Sequence, residues 1–416
     1  MKVGVAVVHH GDPALTARAV ERLPTWAQVV VVDNDPDRPV PDEVEAPEHV
    51  TVLRPGTNTG FAGGCNLAIA ALDGASAVML LNNDAVLDGD GIQRLVDRLQ
   101  EDVAIGAVVP KVVFEGRFHE LEVEAAATWR PGRGDDRELA WQPRRIEVGG
   151  EDVTDRCQLV QGFWEPGRGG RWAGERALLR VPAIDGATTV RIQLATPPRQ
   201  VVELTVNGRH TAWVAPGVGW AEVALDDEPA TVIANVGNVR RADGYGLDVG
   251  RFEADRGQHD EAREVEAWCG GAVVLRDAYL RDVGPFDERL FLYYEDLELS
   301  LRGAARGWRF VYEPSVLVEH RVGSAAGADA SRSERLKERN RLLVLARHGS
   351  LRRLLVELVR FVGVTLAYAR REILAPPLRG EAPCGWLVKV RGLALGGVLA
   401  GLPGMLRSRW EDRRAR

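Results

Sequence analysis

Acidic side chains and one histidine are spaced along this sequence where they could bind a cation and accept a proton. The apolar run 77–81 ends in two amides and Asp84. A second acidic pair, Glu295 and Asp296, lies far downstream, and His320 follows it. Carboxylate oxygens are hard ligands that suit Mg²⁺ or Mn²⁺, and a further carboxylate can take a proton from a reacting hydroxyl. The pattern therefore predicts a divalent cation and a general base in one pocket.

An alternation of strands and helices would position the first of these residues. Across residues 1–114, unbroken apolar runs are separated by helical segments, which is typical of a parallel sheet covered on both faces. Asp33 and Asp84 each come at the end of such a run. Ligands of these sheets bind at the carboxyl ends of the strands, so both aspartates are expected at that edge. An aspartate that only caps a following helix is the alternative for each.

A glycine-rich turn lies between the two aspartates. It begins at Asn58, contains Gly60, and leads into a predicted helix that carries Asn66. Glycine lets the backbone approach a ligand closely, and the N-terminus of a helix favours an anion. A turn of this kind is often only a tight connection, but together with two strand-end aspartates it favours an anionic ligand.

Several short motifs, in a fixed order, resemble those of family 2 glycosyltransferases with the GT-A fold, particularly bacterial rhamnosyltransferase-like members. They are VVVDN at 30–34, NTGFAGGCN at 58–66, LNND at 81–84, WCGG at 268–271, GPFDERLFLYYED at 284–296, and a proline-to-histidine segment at 314–320. The resemblance implies an α/β, Rossmann-like nucleotide-diphospho-sugar transferase domain. That catalytic domain would be discontinuous, covering 1–114 and 238–345.

The resemblance also implies a binding site for a nucleoside-diphosphate sugar. Asp33 would contact the nucleobase or the ribose of this donor. Further donor-binding positions would be Asn58, Gly60, Asn66, Asn83 and Asp84.

A divalent cation, Mg²⁺ or Mn²⁺, would bridge the two phosphates of the donor. The resemblance makes Asp84 one ligand of this metal and His320 a further ligand or phosphate contact. The Asp-x-Asp position of the family reads Asn82-Asn83-Asp84 here. Because an amide oxygen is a weaker ligand than a carboxylate, the departure suggests loose metal binding. A histidine that is merely satisfied by hydrogen bonds is the alternative for His320.

Asp296 would be the general base that takes the proton of the acceptor hydroxyl. The implied acceptor-binding positions are Trp268, Gly270 and Glu295, with the indole ring of Trp268 stacked on a sugar. An acidic pair at the start of a helix is also favoured by the helix dipole alone. A tryptophan in the core is nearly as good an explanation for Trp268.

Residues 115–237 predict an inserted β-sandwich. Helical periodicity is weak there, and short alternating runs are separated by turn signals such as Asn207-Gly208. The segment holds six of the 11 tryptophans, namely Trp129, Trp141, Trp164, Trp172, Trp213 and Trp220. These aromatic residues would serve either glycan binding, with 163–164 and 171–172 the most suggestive pairs, or a small core and partner contacts.

Residues 346–416 predict a basic, amphipathic helical tail. Residues 332–416 contain 19 Lys and Arg against 7 Asp and Glu, although the chain has a net charge of −7. This asymmetry fits an anionic membrane surface better than nucleic acid, for which no motif is present. Residues 384–406 are apolar but interrupted by Lys389 and Arg391, which favours an interfacial helix over a membrane span. A helix pair packed on protein is the alternative.

The four cysteines are far apart, which argues against zinc and disulfides and fits a reducing cytoplasm. The resemblance implies an inverting, metal-dependent hexosyltransferase, and the basic tail adds the expectation that it is peripheral at the inner face of the cell membrane. It would act in cell-wall polysaccharide synthesis on a glycan or lipid-linked acceptor, with dTDP-rhamnose as a candidate donor. The alternatives are a nucleotidyltransferase, although residues 9–12 (HHGD) lack the basic loop it would need, and a non-catalytic glycan-binding scaffold.

Overall fold

The structure is a computed structural model. It describes residues 1–87, 89–131, 136–164, 170–198, 200–321, 330–378 and 382–414. The chain divides into two compact units. The first comprises Met1–Glu115, Ile233–Val362 and Val390–Arg416, and the second comprises Gly116–Val232 and Gly363–Lys389.

Strands and helices are numbered in chain order. The strands are β1 (Val3–His9), β2 (Gln28–Asp33), β3 (Val50–Leu53), β4 (Ala77–Asn82), β5 (Ala85–Val86), β6 (Ile105–Ala125), β7 (Gln142–Val148), β8 (Glu151–Asp152), β9 (Gln158–Phe163), β10 (Ala173–Pro182), β11 (Thr189–Ala195), β12 (Val202–Val206), β13 (His210–Val214), β14 (Val218–Ala224), β15 (Ala230–Asn235), β16 (Asn238–Arg240), β17 (Gly246–Asp248), β18 (Arg263–Glu264), β19 (Ala272–Arg276) and β20 (Arg309–His320). The helices are α1 (Pro13–Glu21), α2 (Gly60–Ala71), α3 (Gly89–Gln100), α4 (Asp277–Val283), α5 (Glu295–Ala304), α6 (Ala330–His348), α7 (Leu351–Ala369), α8 (Ala375–Leu378) and α9 (Trp386–Arg414).

The first unit is built around a mixed sheet in the order β6-β19-β4-β1-β2-β3. β1 runs parallel to both of its neighbours, with His9 opposite Asp33 on β2 and Val8 opposite Asn82 on β4. The carboxyl ends of β2 and β4 therefore lie at the same edge, on either side of β1. β19 is antiparallel to β4 and places Ala272 opposite Leu81. The predicted α/β class is confirmed.

The second unit contains two sheets that share one apolar core. One sheet has the order β13-β12-β6-β10-β9, in which β6 contributes its residues after Gly116, and the other has the order β14-β11-β7-β8. Their facing side chains include Leu121, Leu179, Ile146 and Ile192, each no more than 3% exposed. This arrangement is compatible with the predicted sandwich.

The tryptophans of this second unit differ in their surroundings. Trp141 is 1% exposed and packs edge-on against Phe163, with ring centroids 5.6 Å apart. Trp141 therefore belongs to the core, which is the role that the second interpretation gave to the tryptophans of this segment. Trp213 is 65% exposed, so glycan binding at the surface stays a prediction.

The C-terminal helices differ from the predicted separate tail of residues 346–416. The boundary expected after residue 345 falls inside α6. Leu342 and Leu345 of α6 share a buried cluster with Phe361 of α7 and Val398 of α9. The sequence shows that one face of each helix is apolar but not what covers it, and here the helices of the first unit cover one another.

Candidate functional site

Asp33 places a carboxylate at the end of β2 with one oxygen left over. Its side chain is almost fully buried, and Oδ2 accepts a hydrogen bond from the backbone N–H of Val40 at 3.1 Å. Oδ1 lies 4.0 Å from His9 Nε2 and has no hydrogen-bond partner among the described residues. A buried oxygen without a partner costs free energy. A ligand that donates an N–H or a hydroxyl here would remove that cost.

Asn34 ties β2 to the glycine-rich turn. Its Nδ2 donates to the carbonyl of Gly60 at 2.8 Å, and its Oδ1 accepts from the backbone N–H of Thr59 at 2.9 Å. Asn58 Oδ1 accepts in turn from the N–H of Gly60 at 2.9 Å. The turn at the start of α2 is thereby fixed beside the end of β2.

The conformation of Gly60 has no room for a side chain. Its φ is +76°, and a Cβ there would lie 2.4 Å from the carbonyl oxygen of Phe291. The same oxygen accepts a hydrogen bond from the backbone N–H of Ala62 at 3.2 Å. The glycine-rich turn therefore contacts the segment that leads into α5 directly.

The amides of Asn66 and Asn83 are engaged by the protein itself. Asn66 accepts from the backbone N–H of Phe286 at 2.9 Å and donates to Glu288 at 2.9 Å. Asn83 donates to Thr16 Oγ1 at 3.0 Å, which holds the end of β4 against α1. Both residues position neighbouring segments, and direct contact with a donor stays a prediction.

Asp84 and His320 lie within hydrogen-bond distance of each other, and their role as metal ligands stays a prediction. β5 pairs with β20 so that His320 lies opposite Ala85, which brings His320 Nε2 to 2.8 Å from Asp84 Oδ1. Asn82 Nδ2 lies 3.3 Å from the same ring nitrogen. One carboxylate and one imidazole, both largely buried, converge here.

This pair suits a cation that is shared with a phosphate ligand. Among the described residues no group of three or more His, Cys, Asp or Glu is arranged to hold a metal. Mg²⁺ is commonly bound by one or two protein carboxylates together with substrate phosphates and water. The donor set of Asp84 and His320 fits that kind of site and would leave the remaining ligand positions to phosphate oxygens.

Asp296 lies at the start of α5 with both oxygens hydrogen-bonded to backbone. Oδ2 accepts from the N–H of Gly270 at 2.9 Å, and Oδ1 accepts from the N–H of Leu297 at 2.7 Å. Burial raises the pKa of Asp296 above its ordinary value, while these two N–H groups oppose the rise. The carboxylate is half-buried and so keeps some access to a reacting group.

Two consecutive glycines join the base candidate to the cation candidates. The N–H of Gly270 binds Asp296, and the carbonyl of Gly271 accepts from the backbone N–H of Asn82 at 2.9 Å. A Cβ on Gly270 would lie 3.1 Å from the ring of Phe61 and 3.5 Å from Asp296 Cβ. Because Asn82 also contacts His320, a chain of hydrogen bonds through this dipeptide, Asn82 and His320 links the two distant acidic sites of the sequence.

The structure corrects the acceptor role expected for Trp268. The side chain is 0% exposed, its Nε1 donates to Tyr279 Oη at 3.3 Å, and its ring packs edge-on against Phe286. No face of the indole is open to a sugar. The aromatic residue before the two glycines belongs to the core beneath the site.

Glu295 also lies inside the protein. It is 4% exposed, and its Oε2 has no hydrogen-bond partner among the described residues. Burial, and then the neighbouring Asp296, raise the pKa of Glu295 well above its ordinary value. A buried acid that resists ionisation is a poor contact for an acceptor, so the structure does not support that role.

A strained turn precedes α5, and sequence reasoning missed the residue that holds it. Phe291, Tyr293 and Tyr294 have φ values of 65°, 69° and 72°, a region that is costly for large side chains.

Asn340 of α6 is fully buried, and its Nδ2 donates to three carbonyls of this turn, at 2.8 Å (Leu290), 2.9 Å (Leu292) and 2.7 Å (Tyr293). The only sequence signal was a single amide at the head of the apolar stretch 342–346.

Comparison with known proteins supports the family resemblance. Residues 7–158 match the family described as Glycosyl transferase family 2. Two curated relatives, from Mycobacterium tuberculosis strains CDC 1551 / Oshkosh and ATCC 25618 / H37Rv, are each named N-acetylglucosaminyl-diphospho-decaprenol L-rhamnosyltransferase. Each is 39% identical over 67 residues, which is 16% of this chain and 22% of the relative. The match therefore spans under a quarter of the length of these relatives.

Solved glycosyltransferase structures resemble the chain more distantly. GalNAc-T7 with UDP, GalNAc and Mn²⁺ has a TM-score of 0.45 and 12% identity, covering 83% of this chain and 48% of that one. The mannosyltransferase PcManGT of Pyrobaculum calidifontis, in complex with GDP-Man and Mn²⁺, has a TM-score of 0.36 and 12% identity, covering 96% and 75%. TarS 1–349 of S. aureus has a TM-score of 0.34 and 11% identity, covering 100% and 92%. Likenesses this distant carry no conclusion about the activity of this chain.

Three observations agree with one another. The motifs occur in the order that the resemblance requires, the sheet places the ends of β2 and β4 at one edge, and residues 7–158 match the family. The predicted resemblance is therefore confirmed over residues 7–158, which match glycosyl transferase family 2 and form part of an α/β fold.

Proposed function

We propose that this protein is an inverting, divalent-cation-dependent glycosyltransferase. It would move a sugar from a nucleoside-diphosphate sugar to a glycan or lipid-linked glycan acceptor in cell-envelope polysaccharide synthesis. One observation carries the proposal: the dipeptide Gly270-Gly271 hydrogen-bonds to Asp296 on one side and to Asn82, beside His320 and Asp84, on the other. This linkage supports a candidate base and a candidate cation site within one pocket.

The donor would bind along the strand ends. The unpaired Oδ1 of Asp33 is suited to accept from a nucleobase N–H or a ribose hydroxyl. Asp84 and His320 would hold Mg²⁺ or Mn²⁺, which supplies charge neutralisation to a departing diphosphate. The curated relatives are named as rhamnosyltransferases, and dTDP-rhamnose is the candidate donor on that ground.

Asp296 would act on the acceptor. In an inverting transfer the acceptor oxygen attacks the anomeric carbon opposite the diphosphate, the new C–O bond forms as the bond to the diphosphate breaks, and the hydroxyl proton goes to the carboxylate. The N–H groups of Gly270 and Leu297 hold that carboxylate in one orientation. They also stabilise its ionised form, which is the form able to take a proton.

A thermal-shift screen of nucleoside diphosphates and their sugars, with Mn²⁺, Mg²⁺ or EDTA, tests the donor site. A ligand that binds the native state raises its melting temperature. We expect cation-dependent stabilisation in the wild type and its loss in Asp84→Ala. Asp37→Ala is the matched control, because Asp37 is an exposed aspartate four residues after Asp33 in the chain, and it should behave as the wild type. Equal stabilisation in EDTA and in Mn²⁺ would count against the cation site.

The same assays separate the alternatives. Release of pyrophosphate from a nucleoside triphosphate would favour a nucleotidyltransferase. Glycan binding that needs neither a cation nor a nucleotide would favour a scaffold that uses exposed aromatic side chains such as Trp213.

A further inference from the structure

Helix α9 is apolar on two opposite faces. One face is buried in the first unit through Val390, Ala394, Val398 and Met405. On the opposite side of the helical wheel, Leu393 is 51% exposed and Leu399 is 62% exposed. Residues 392–406 contain no charged side chain. A helix that is apolar all round is normally covered on both faces by protein or by lipid.

The first part of α7 repeats this arrangement. Phe361 and Leu354 are buried in the cluster shared with α6 and α9. On the outward face Leu351, Leu355 and Val359 are 56%, 64% and 66% exposed. α7 thus exposes a row of large apolar side chains, and the neighbouring α9 of the same unit exposes two leucines within an uncharged stretch, which together are more than isolated surface residues would explain.

Contacts at its C-terminal end keep α9 on the protein. By length and composition α9 is the one described helix suited to cross a bilayer, and 22% of its most apolar window is buried. However, Arg347 of α6 donates to Asp412 at 2.9 Å, and Arg409 donates to the carbonyl of Ala346 at 2.9 Å. A transmembrane orientation of α9 would break the contacts that Asp412 and Arg409 make with α6. An orientation along the membrane surface preserves them.

The positive charge beside the exposed apolar faces of α7 and α9 indicates which kind of partner would bind them. Arg352, Arg360 and Arg407 are exposed beside the apolar rows, within a region that holds 19 basic and 7 acidic residues. In a symmetric dimer this surface would meet the same surface of a second copy, so that two patches of like positive charge would approach each other, which is unfavourable. Anionic headgroups instead complement them, while the acyl chains take up the leucine and valine side chains.

We propose that the outward faces of α7 (residues 351–362) and α9 (residues 392–410) form a surface that binds anionic lipid bilayers. α9 lies in the plane of the headgroups. For a protein of the cytoplasm this surface places the chain at the inner face of the membrane. The proposal goes beyond the transfer reaction and is independent of it, since no donor or acceptor contact enters the argument.

Vesicle sedimentation of the full chain tests the surface directly. Vesicles are made of phosphatidylcholine, with or without phosphatidylglycerol. We expect the wild type to sediment with the anionic vesicles and to be released by salt. Leu355→Glu combined with Val359→Glu, and separately Leu399→Glu, should weaken binding by roughly tenfold or more, because each places a charge where apolar burial is needed.

Val103→Glu is the matched control. Val103 is 80% exposed and lies outside α7 and α9, so this variant should bind as the wild type does. Because all these positions are exposed, unchanged melting temperatures and circular dichroism should accompany the loss. Intact nucleotide stabilisation in the weakened variants would separate this surface from the donor site.

Other outcomes would overturn the proposal. These are no sedimentation of the wild type, equal binding to neutral vesicles, and equal binding by the glutamate variants. Light scattering after size exclusion tests a second copy of the chain as the occupant. A wild-type dimer that the same variants convert to monomers, without vesicle binding, would assign the surface to that dimer.

Discussion

At the scale of single residues, the site contrasts two adjacent acids. Asp296 has both oxygens bonded to backbone N–H groups, whereas Glu295 is buried with one oxygen unpartnered among the described residues. The pKa of each is raised by burial, and that of Glu295 far more. Asp296 is therefore more readily present as the carboxylate, which is the form that can accept a proton.

Exchange of each acid for its amide tests this assignment. Asp296→Asn should lower the transfer rate by roughly a hundredfold or more while cation-dependent donor stabilisation remains. Glu295→Gln is the matched control, because a protonated carboxyl and an amide are alike in shape and charge, and it should keep most activity. In the wild type kcat/KM should fall as the pH drops through a pKa above the ordinary aspartate value, because only the ionised base accepts a proton. Full turnover by Asp296→Asn would contradict the assignment.

Sequence reasoning located some of these residues and could not locate others. Asp33 and Asp84 were predictable because an unbroken apolar run marks a buried parallel strand and the next polar residue marks its carboxyl end. Trp268 was misassigned because an aromatic residue before two glycines reads the same whether it stacks on a sugar or fills a core. Asn340 was missed because the sequence pattern of a helix indicates its apolar face. That pattern does not indicate which carbonyls of a distant turn a polar side chain of the helix will contact.

At the scale of elements, α6 supports the turn from which α5 starts. Three large residues of this turn are left-handed, and such a conformation persists only when its surroundings hold it. Asn340 supplies donors to the carbonyls of Leu290, Leu292 and Tyr293. We infer that α6 orients Asp296 through this contact, although Asn340 itself touches no reacting group.

Asn340→Asp removes the donors with little change in size. It should lower kcat and also weaken donor binding, because the turn carries the base at one end and, through the carbonyl of Phe291, contacts the glycine-rich turn at the other. Leu343→Ala is the comparison, since it truncates a buried side chain of the same helix and leaves the hydrogen bonds from Asn340 to the turn in place. Steady-state kinetics gives the loss of kcat in each variant, and urea denaturation gives the loss of unfolding free energy. If Asn340 were only structural, the two variants would show the same loss of kcat for a given loss of unfolding free energy.

At the scale of the whole molecule, each of the two units has a core of its own. Asp33, Asp84 and Asp296 all lie in the first unit. Separate cores allow separate cooperative unfolding, and a ligand stabilises only the unit that binds it. The strand pattern of residues 115–237 predicts β-structure, and the structure has strands there, but nothing in the sequence indicated that the second unit also includes Gly363–Lys389. The sequence did not reveal how the C-terminal segment is divided between the two units. Its pattern indicates the apolar faces of α7 and α9 but not the residues against which those faces pack.

Calorimetry should resolve two unfolding transitions. Nucleoside-diphosphate sugar with Mn²⁺ should raise only one of them, because the proposed donor site is confined to the first unit. Ile192→Ala removes a side chain from the core of the second unit and should lower only the other, at a cost of about 2–5 kcal/mol. A single transition that responds to both changes would show that the units unfold together.

The carbonyl of Phe291 serves both halves of the proposed site. It accepts from the N–H of Ala62 and excludes any side chain at Gly60, and it belongs to the left-handed turn that ends at the helix of the base. A shift of this one oxygen would move both the glycine-rich turn of the proposed nucleotide site and the start of the helix that carries the proposed base. Affinity for the first substrate and reactivity toward the second should therefore change in concert when the peptide plane moves.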